Sequence, residues 1–270
     1  MTVVLCGVGA DTTNVSFHDS RVPRIDAAGR FEYVPIPEKT RETTESKSYG
    51  DLRLRHTDGS MADAIASLTP DPDGDGGRMT DPDAIASYPP HHDPNFDAPT
   101  YGEHRPAYTA RLAELTPGTD AVGFYTGLED EDGRLHRYLI GWFRVATKTI
   151  IDPDDDSETK REKLARHPEN AHAKRAVDGV PYRNGRRIVM VDGDDGALFD
   201  RAGPRLSVFS AFGGDRRGYY LDDEFARRFR VVRPAHDPDS GARADKAGLT
   251  RKPAVVCDLT ADEFGELVED

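Results

Sequence analysis

Cysteine is nearly absent: Cys6 and Cys257 are the only two among 270 residues. Two thiols cannot build a disulfide framework, and no zinc site can be assembled from paired Cys-x-x-Cys units. Lysine is scarce too, supplying only eight of the 36 basic residues. No apolar run approaches the roughly 20 residues that a membrane helix needs. Met1 is followed directly by Thr2-Val3-Val4-Leu5-Cys6, without a basic segment or a cleavage pattern, so no signal peptide is read and a cytoplasmic protein is expected. A Gly-x-Ser-x-Gly elbow, a Walker phosphate loop and a zinc-deaminase cysteine pair are all missing. The usual nucleophilic and metal chemistries therefore lack their signatures, and neither a cofactor nor a metal is expected.

Carboxylate is what the chain has in excess. Asp and Glu number 49, and the formal net charge is -13. Asp greatly outnumbers Glu, and Arg stands in for Lys. A surface of this kind stays hydrated in concentrated salt, which reads as a halophilic, archaeal-like adaptation. In molar salt the Debye length falls to about 3 Å, so repulsion among surface carboxylates largely vanishes. The acid is spread along the chain, unlike an acidic tail. Residues 136–235 differ, with 20 Lys and Arg against 16 Asp and Glu. A locally cationic segment in an anionic protein suits a phosphate-contacting face.

Hydrophobic content of 36%, gathered into short runs, fits a folded chain with a heavily solvated surface. Residues 2–6 read as a buried strand, Phe31 to Ile36 as a second, and Ala62 to Leu68 and Ala107 to Leu115 as short helices. The clearest unit is a hairpin: Asp120 to Leu128, a turn with Asp132-Gly133, then Leu135 to Ala146. Strict alternation places Tyr138, Ile140 and Trp142 on one face and Leu139, Phe143 and Val145 on the other. Thr159-Lys160-Arg161-Glu162 fits a helix-opening capping box, and a helical turn is expected over Asn170 to Val177. Ile188 to Val191 reads as a strand, Asp192 to Gly196 as a loop, and Ala197 to Ala202 as a helix. Leu206 to Phe209, Val231-Val232 and Val255-Val256 read as strands, with helices at Glu224 to Phe229 and Thr260 to Glu269. Residues 69–83, rich in Asp, Gly and Pro, read as a mobile acidic loop. With no repeat and no linker, one domain over 1–270 is the simpler organisation.

Several motifs fail on spacing. Gly7-Val8-Gly9 follows a strand, but the sixth position of a dinucleotide fingerprint is Thr12 instead of glycine. These glycines permit a tight bend, leaving Asp11 and Asn14 on the loop as candidate ligand contacts. Asp71, Asp73 and Asp75 alternate as in a calcium loop, but position 12 is Pro82 instead of a bidentate Glu. In His91-His92-Asp93 the adjacent histidines point to opposite sides of an extended chain, and Pro89, Pro90, Pro94 and Pro99 mark a loop, so joint metal ligation is not expected. His167 and His172 are five apart with Pro168 between them, which excludes the zincin pair. His172 and Arg175, three apart, can project together as donors to a phosphate or a base edge, or form a surface ion pair with Glu169. Tyr125 and Trp142 can stack on an unpaired base, at about 1–3 kcal/mol per base, or belong to the core.

Taken together, several segments resemble the third family of the nucleotide-modification-associated domain proteins, also labelled putative DNA base hypermodification proteins. The carriers are Gly7-Val8-Gly9-Ala10-Asp11, Phe31-Glu32-Tyr33-Val34-Pro35-Ile36-Pro37-Glu38, Asp93-Pro94-Asn95-Phe96, Thr100-Tyr101-Gly102, Phe124-Tyr125-Thr126-Gly127-Leu128, Tyr138-Leu139-Ile140-Gly141-Trp142-Phe143 and Asn170-Ala171-His172. The resemblance implies a role in systems that modify or recognise DNA bases. The hairpin is also similar to the central strands of small PUA-like barrels such as the EVE and ASCH domains, which hold a flipped base.

The expected fold is α+β: a mixed, strongly bent β-sheet or a small PUA-like barrel with peripheral helices. The leading functional reading is a base-recognition module with a pocket between the early glycine turn and the hairpin. Its ligand-binding residues would be Asp11, Asn14, Glu38, Tyr125, Trp142, His172 and Arg175, with Arg137 and Arg144 on phosphates. Its partners would be modified DNA or a nucleotide, and other subunits of a DNA modification system, with no membrane. At molar salt counterion release drives little binding, so stacking and hydrogen bonds would carry affinity. The alternatives are an enzyme using Asp11, Glu38 or Asp93 as base and His172 as acid or phosphate clamp, and a structural subunit of a modification or defence complex.

Overall fold

The computed structural model describes residues 1–9, 23–38, 43–68, 82–176, 178–181, 183, 185–212, 216–233, 249 and 254–269. Of the acidic loop expected over 69–83, residues 69–81 lie outside them. The strands are β1 (Val3–Gly7), β2 (Ile36–Pro37), β3 (Pro90–His91), β4 (Thr100–Glu103), β5 (Ala121–Glu129), β6 (Leu135–Ile151), β7 (Ile188–Leu198), β8 (Ser207–Phe212), β9 (Arg216–Leu221), β10 (Val231–Arg233) and β11 (Val255–Cys257). The helices are α1 (Met61–Leu68), α2 (Pro82–Ile85), α3 (Pro106–Leu112), α4 (Ser157–Ala165), α5 (Ala171–Lys174), α6 (Asp223–Arg228) and α7 (Ala261–Glu269). None of these helices is long and apolar enough to cross a membrane.

Seven strands make one mixed sheet in the order β10-β11-β1-β5-β6-β7-β4, so the fold is α+β. Only β1 and β5 are parallel neighbours in it. The PUA-like barrel is not the form adopted: among the described residues no closed barrel occurs, and the sheet is open with β10 and β4 at its edges. β5 is buried along nearly its whole length, as expected of a central strand covered on both faces. The hairpin turn is set by Asp130, whose carboxylate accepts from Asp132 and Arg134 N–H at 3.1 and 2.9 Å. Gly133 takes the positive φ of 70° that the turn demands.

The facing of the second hairpin strand differs from strict alternation. Phe124 pairs with Gly141 and Tyr125 with Leu139, so Ile140 is the extra residue of a β-bulge. The phase flips there. Ile140, Phe143 and Val145 join Val4, Val122 and Phe124 on one face, while Leu139 and Trp142 join Leu5, Tyr125 and Phe264 on the other. The cause is the ladder itself, since one inserted residue reverses every side chain beyond it.

Other expectations shift at element ends. The acidic Asp192 to Gly196 and the expected helix start at Ala197 belong instead to β7, which keeps its ladder with β6 through two register shifts. Exposed ends of a strand tolerate polar residues, so composition alone misreads them as loop. Helix α4 is opened by Asp156, not Thr159: the Asp156 carboxylate accepts from Thr159 N–H at 2.8 Å and from its hydroxyl at 3.0 Å. At α7 a reciprocal capping box does form, Glu263 N–H to Thr260 Oγ1 at 3.0 Å and Thr260 N–H to Glu263 Oε2 at 2.8 Å. Of the strand expected over Phe31 to Ile36, only Ile36 enters a ladder, as the first residue of the two-residue β2 with Pro37, the prolines at 35 and 37 offering no N–H to extend it.

Candidate functional site

The short β2–β3 ladder pairs Ile36 with His91 and Pro37 with Pro90, and Glu38 N–H donates to Pro89 O at 3.0 Å. This brings Glu38 beside His91, with 2.6 Å between Glu38 Oε1 and His91 Nδ1. The chain then turns back through Asn95, whose side chain accepts from Asp97 and Ala98 N–H and whose backbone pairs with Thr100. The return places Asp93 against the outer edge of β4. Gly102 N–H donates to Asp93 Oδ1 at 2.8 Å, leaving Oδ2 to face inward.

Helix α5 closes the site. Asn170, fully buried, caps it by accepting from His172 N–H at 2.9 Å and is itself tied to Thr100 Oγ1. His172 then reaches Asp93, Nε2 to Oδ2 at 3.2 Å, while His91 Nε2 lies 3.5 Å from the same oxygen. Arg175, one turn further, pairs with Glu38 at 2.9 Å. The side chains of His91, Asp93, His172, Glu38 and Arg175 are between 3% and 15% exposed. Gly102 is required by the closeness of this packing: a Cβ there would stand 2.5 Å from His172 Cδ2 and 2.8 Å from Asn170 Oδ1.

The electrostatics follow from burial against pairing. Burial by itself would push the Asp93 carboxyl up, but hydrogen bonds from His172 and His91 hold it below the usual range. Burial would lower His91, and the carboxylates of Asp93 and Glu38 reverse this, raising it to about 9. His104, whose ring lies 5.5 Å from that of His172, is lowered to about 4 by burial and by the neighbouring imidazole. Beside these, Glu103 accepts from Arg105 through Nε and Nη2 at 2.9 and 2.6 Å, and from the Tyr101 hydroxyl. The Tyr33 hydroxyl is buried without a hydrogen-bond partner among the described residues, and both burial and the Asp93 charge push its pKa well up.

The candidate residues from sequence fall into separate places. Glu38, His172 and Arg175 meet in this cluster. Tyr125 is fully buried in the core of the opposite sheet face. Trp142, 8% exposed, packs there against Phe264, with ring centroids 5.8 Å apart. Arg144 is held by Asp262 at 2.7 Å, with Asp195 and Asp194 nearby, at a groove of about 580 Å³ that Trp142 also lines. Arg137 is 1% exposed, with its guanidinium 5.4 Å from the centre of the Tyr219 ring. Asp11 and Asn14 lie outside the described residues. The part of their loop that is described leaves β1 with Val8 N–H on Tyr125 O and with Gly9, at φ 77°, packed beside Tyr33 and Thr126.

Sequence reasoning missed His91 and the Glu103–Arg105 pair. Attention to adjacent His91 and His92 hid the informative spacing, which is His91 to Asp93: residues two apart on an extended chain share a side. His167 turns to a different carboxylate, Asp192, at 2.8 Å.

No curated protein and no solved structure matches the chain. A family model described as nucleotide modification associated domain 3 matches residues 2–255, a span that contains every residue of the cluster. The chain therefore belongs to the nucleotide modification associated domain 3 family.

Proposed function

We propose that this protein binds a nucleotide or its base and carries out chemistry on it at the cluster of Glu38, His91, Asp93, His172 and Arg175. One observation carries the reading: ionisable side chains from segments far apart in sequence converge, largely buried, at one sheet edge. Burying charge is expensive unless it is paired, and such clusters concentrate at functional sites. The family's association with nucleotide modification supports a nucleotide or base as the substrate class. The Glu38 carboxylate is an acceptor for base N–H groups, and Arg175 is a donor to base carbonyls or phosphate oxygens.

This arrangement favours the enzyme over a stacking base reader. A carboxylate and a donor lie within hydrogen-bond reach, as acid–base work needs. The aromatic wall that a reader needs would come from Tyr125 and Trp142, but both are spent on the core of the other face. The test is incubation of the protein in high salt with nucleosides, nucleoside monophosphates and DNA, followed by mass spectrometry of bound and converted species. A new nucleoside product that disappears in Asp93→Asn supports the enzyme. Absence of both a retained nucleoside and a product overturns the reading.

A further inference from the structure

We propose that His91 Nε2, Asp93 Oδ2 and His172 Nε2 hold one divalent first-row transition-metal ion. One ligand atom from each of the three residues lies within 4.8 Å of those of the other two. The Nε2-to-Oδ2 separations are 3.5 Å for His91 and 3.2 Å for His172. Donors about 2.0–2.2 Å from a zinc-like ion, at angles between octahedral and tetrahedral, stand roughly 2.9–3.5 Å apart. The rings of His91 and His172 meet edge to face, with centroids 5.3 Å apart at 69°, so they converge instead of stacking.

The surroundings orient the ligands as a metal site requires. Ligating histidines commonly give their second ring nitrogen to a carboxylate, which fixes the tautomer and aims the other nitrogen. Glu38 does this for His91 at 2.6 Å, and Arg175 steadies Glu38 from the far side. Gly102 N–H occupies Asp93 Oδ1, so Oδ2 is presented singly. The Asn170 cap fixes the start of α5 and with it the His172 backbone. A second, independent observation is the buried Tyr33 hydroxyl, which has no partner among the described residues and is close enough to feel the Asp93 charge. Water on the metal would donate to that hydroxyl oxygen.

Two imidazoles with one carboxylate suit iron, cobalt, nickel, copper or zinc, while all-oxygen sites suit magnesium and calcium. Three protein ligands leave coordination positions open, which is the pattern of a reactive centre. The ion would there polarise a substrate oxygen or activate water beside the nucleotide. The inference concerns the site of the proposed function but rests on ligand geometry, so metal uptake is measured with no nucleotide present.

The experiment is titration of the metal-stripped full chain with Co2+ alone and Zn2+ alone, read by elemental analysis and by Co2+ visible absorption. The expected result is about one ion per chain, undisturbed by excess Mg2+ and unchanged in His92→Asn. Glu38→Gln, which removes the carboxylate charge beside His91 Nδ1 and no ligand, is expected to weaken binding about 10–100-fold. Asp93→Asn and His172→Asn are expected to abolish stoichiometric uptake. Circular dichroism reports whether each variant folds, and should one unfold, wild-type stoichiometry and Glu38→Gln decide. Failure of the folded wild type to take up metal at micromolar concentration overturns the site, as does wild-type affinity in folded Asp93→Asn, His172→Asn or Glu38→Gln. A chain that takes up metal but neither binds nor converts nucleotides refutes the proposed function alone. Conversion that persists without metal uptake refutes the metal centre alone.

Discussion

Gly102→Ala tests the cluster with the smallest change available, one methyl group. Gly102 lies in β4 opposite Met190, and no positive φ is involved, so the expected effect is steric and not conformational. The new Cβ would stand 2.5 Å from His172 Cδ2, where ordinary contact begins near 3.4 Å. Either the imidazole moves by about 0.9 Å or the strand does. Overpacking of this kind destabilises by about 1–3 kcal/mol. For a chain of this size each kcal/mol lowers Tm by about 2–4 °C, which gives a fall of about 2–12 °C. His172 Nε2 lies 3.2 Å from Asp93 Oδ2, so the same displacement takes the pair to about 4 Å, beyond hydrogen-bond reach. Thermal unfolding by circular dichroism reads the first effect, and Co2+ titration reads the second as a loss of about tenfold or more. An unchanged Tm together with unchanged Co2+ affinity would refute the packing argument.

Three further outcomes follow from the same structure. Trp142→Ala should destabilise by about 3–5 kcal/mol in denaturant titration, because the indole fills the space between Phe264 and Gly265; near-neutral stability with lost nucleotide binding would restore it as a stacking platform. Burial alone would raise Asp192, but hydrogen bonds from His167, Thr100 and Thr147 lower it. Its stabilising share is therefore complete above the unfolded Asp pKa of about 3.9 and is lost as pH falls through the lower folded value. The Tm gap between wild type and Asp192→Asn should accordingly narrow below pH 4. Burial raises both thiols, Cys257 to about 12 and Cys6 further, Glu103 adding to the latter, so a thiol reagent at pH 8 should label neither in the native protein and both after denaturation.

Local chemistry was enough to read the elements that local chemistry builds. Continuous apolar runs announced β1, β5 and β6, an Asp-Gly turn announced the hairpin, and the helix expected from Thr260 forms as α7. Each signal lies within a few residues of its consequence. Where an element depended on its neighbour across the ladder, the reading slipped. The Ile140 bulge arises from pairing with β5, and it alone sends Trp142 and Arg144 to the face away from the cluster. The acidic end of β7 is strand because β6 is long enough to pair with it.

The family, the mixed α+β character, and the nearness of His172 and Arg175 at one short helical turn were legible from the residues alone. Only the tertiary structure decided that these two meet Glu38, His91 and Asp93. That meeting is made by a two-residue ladder between proline-flanked segments, by the outward N–H of an edge strand and by ion pairs from α5, contacts spanning 9 to 137 residues of chain with no local periodicity to betray them.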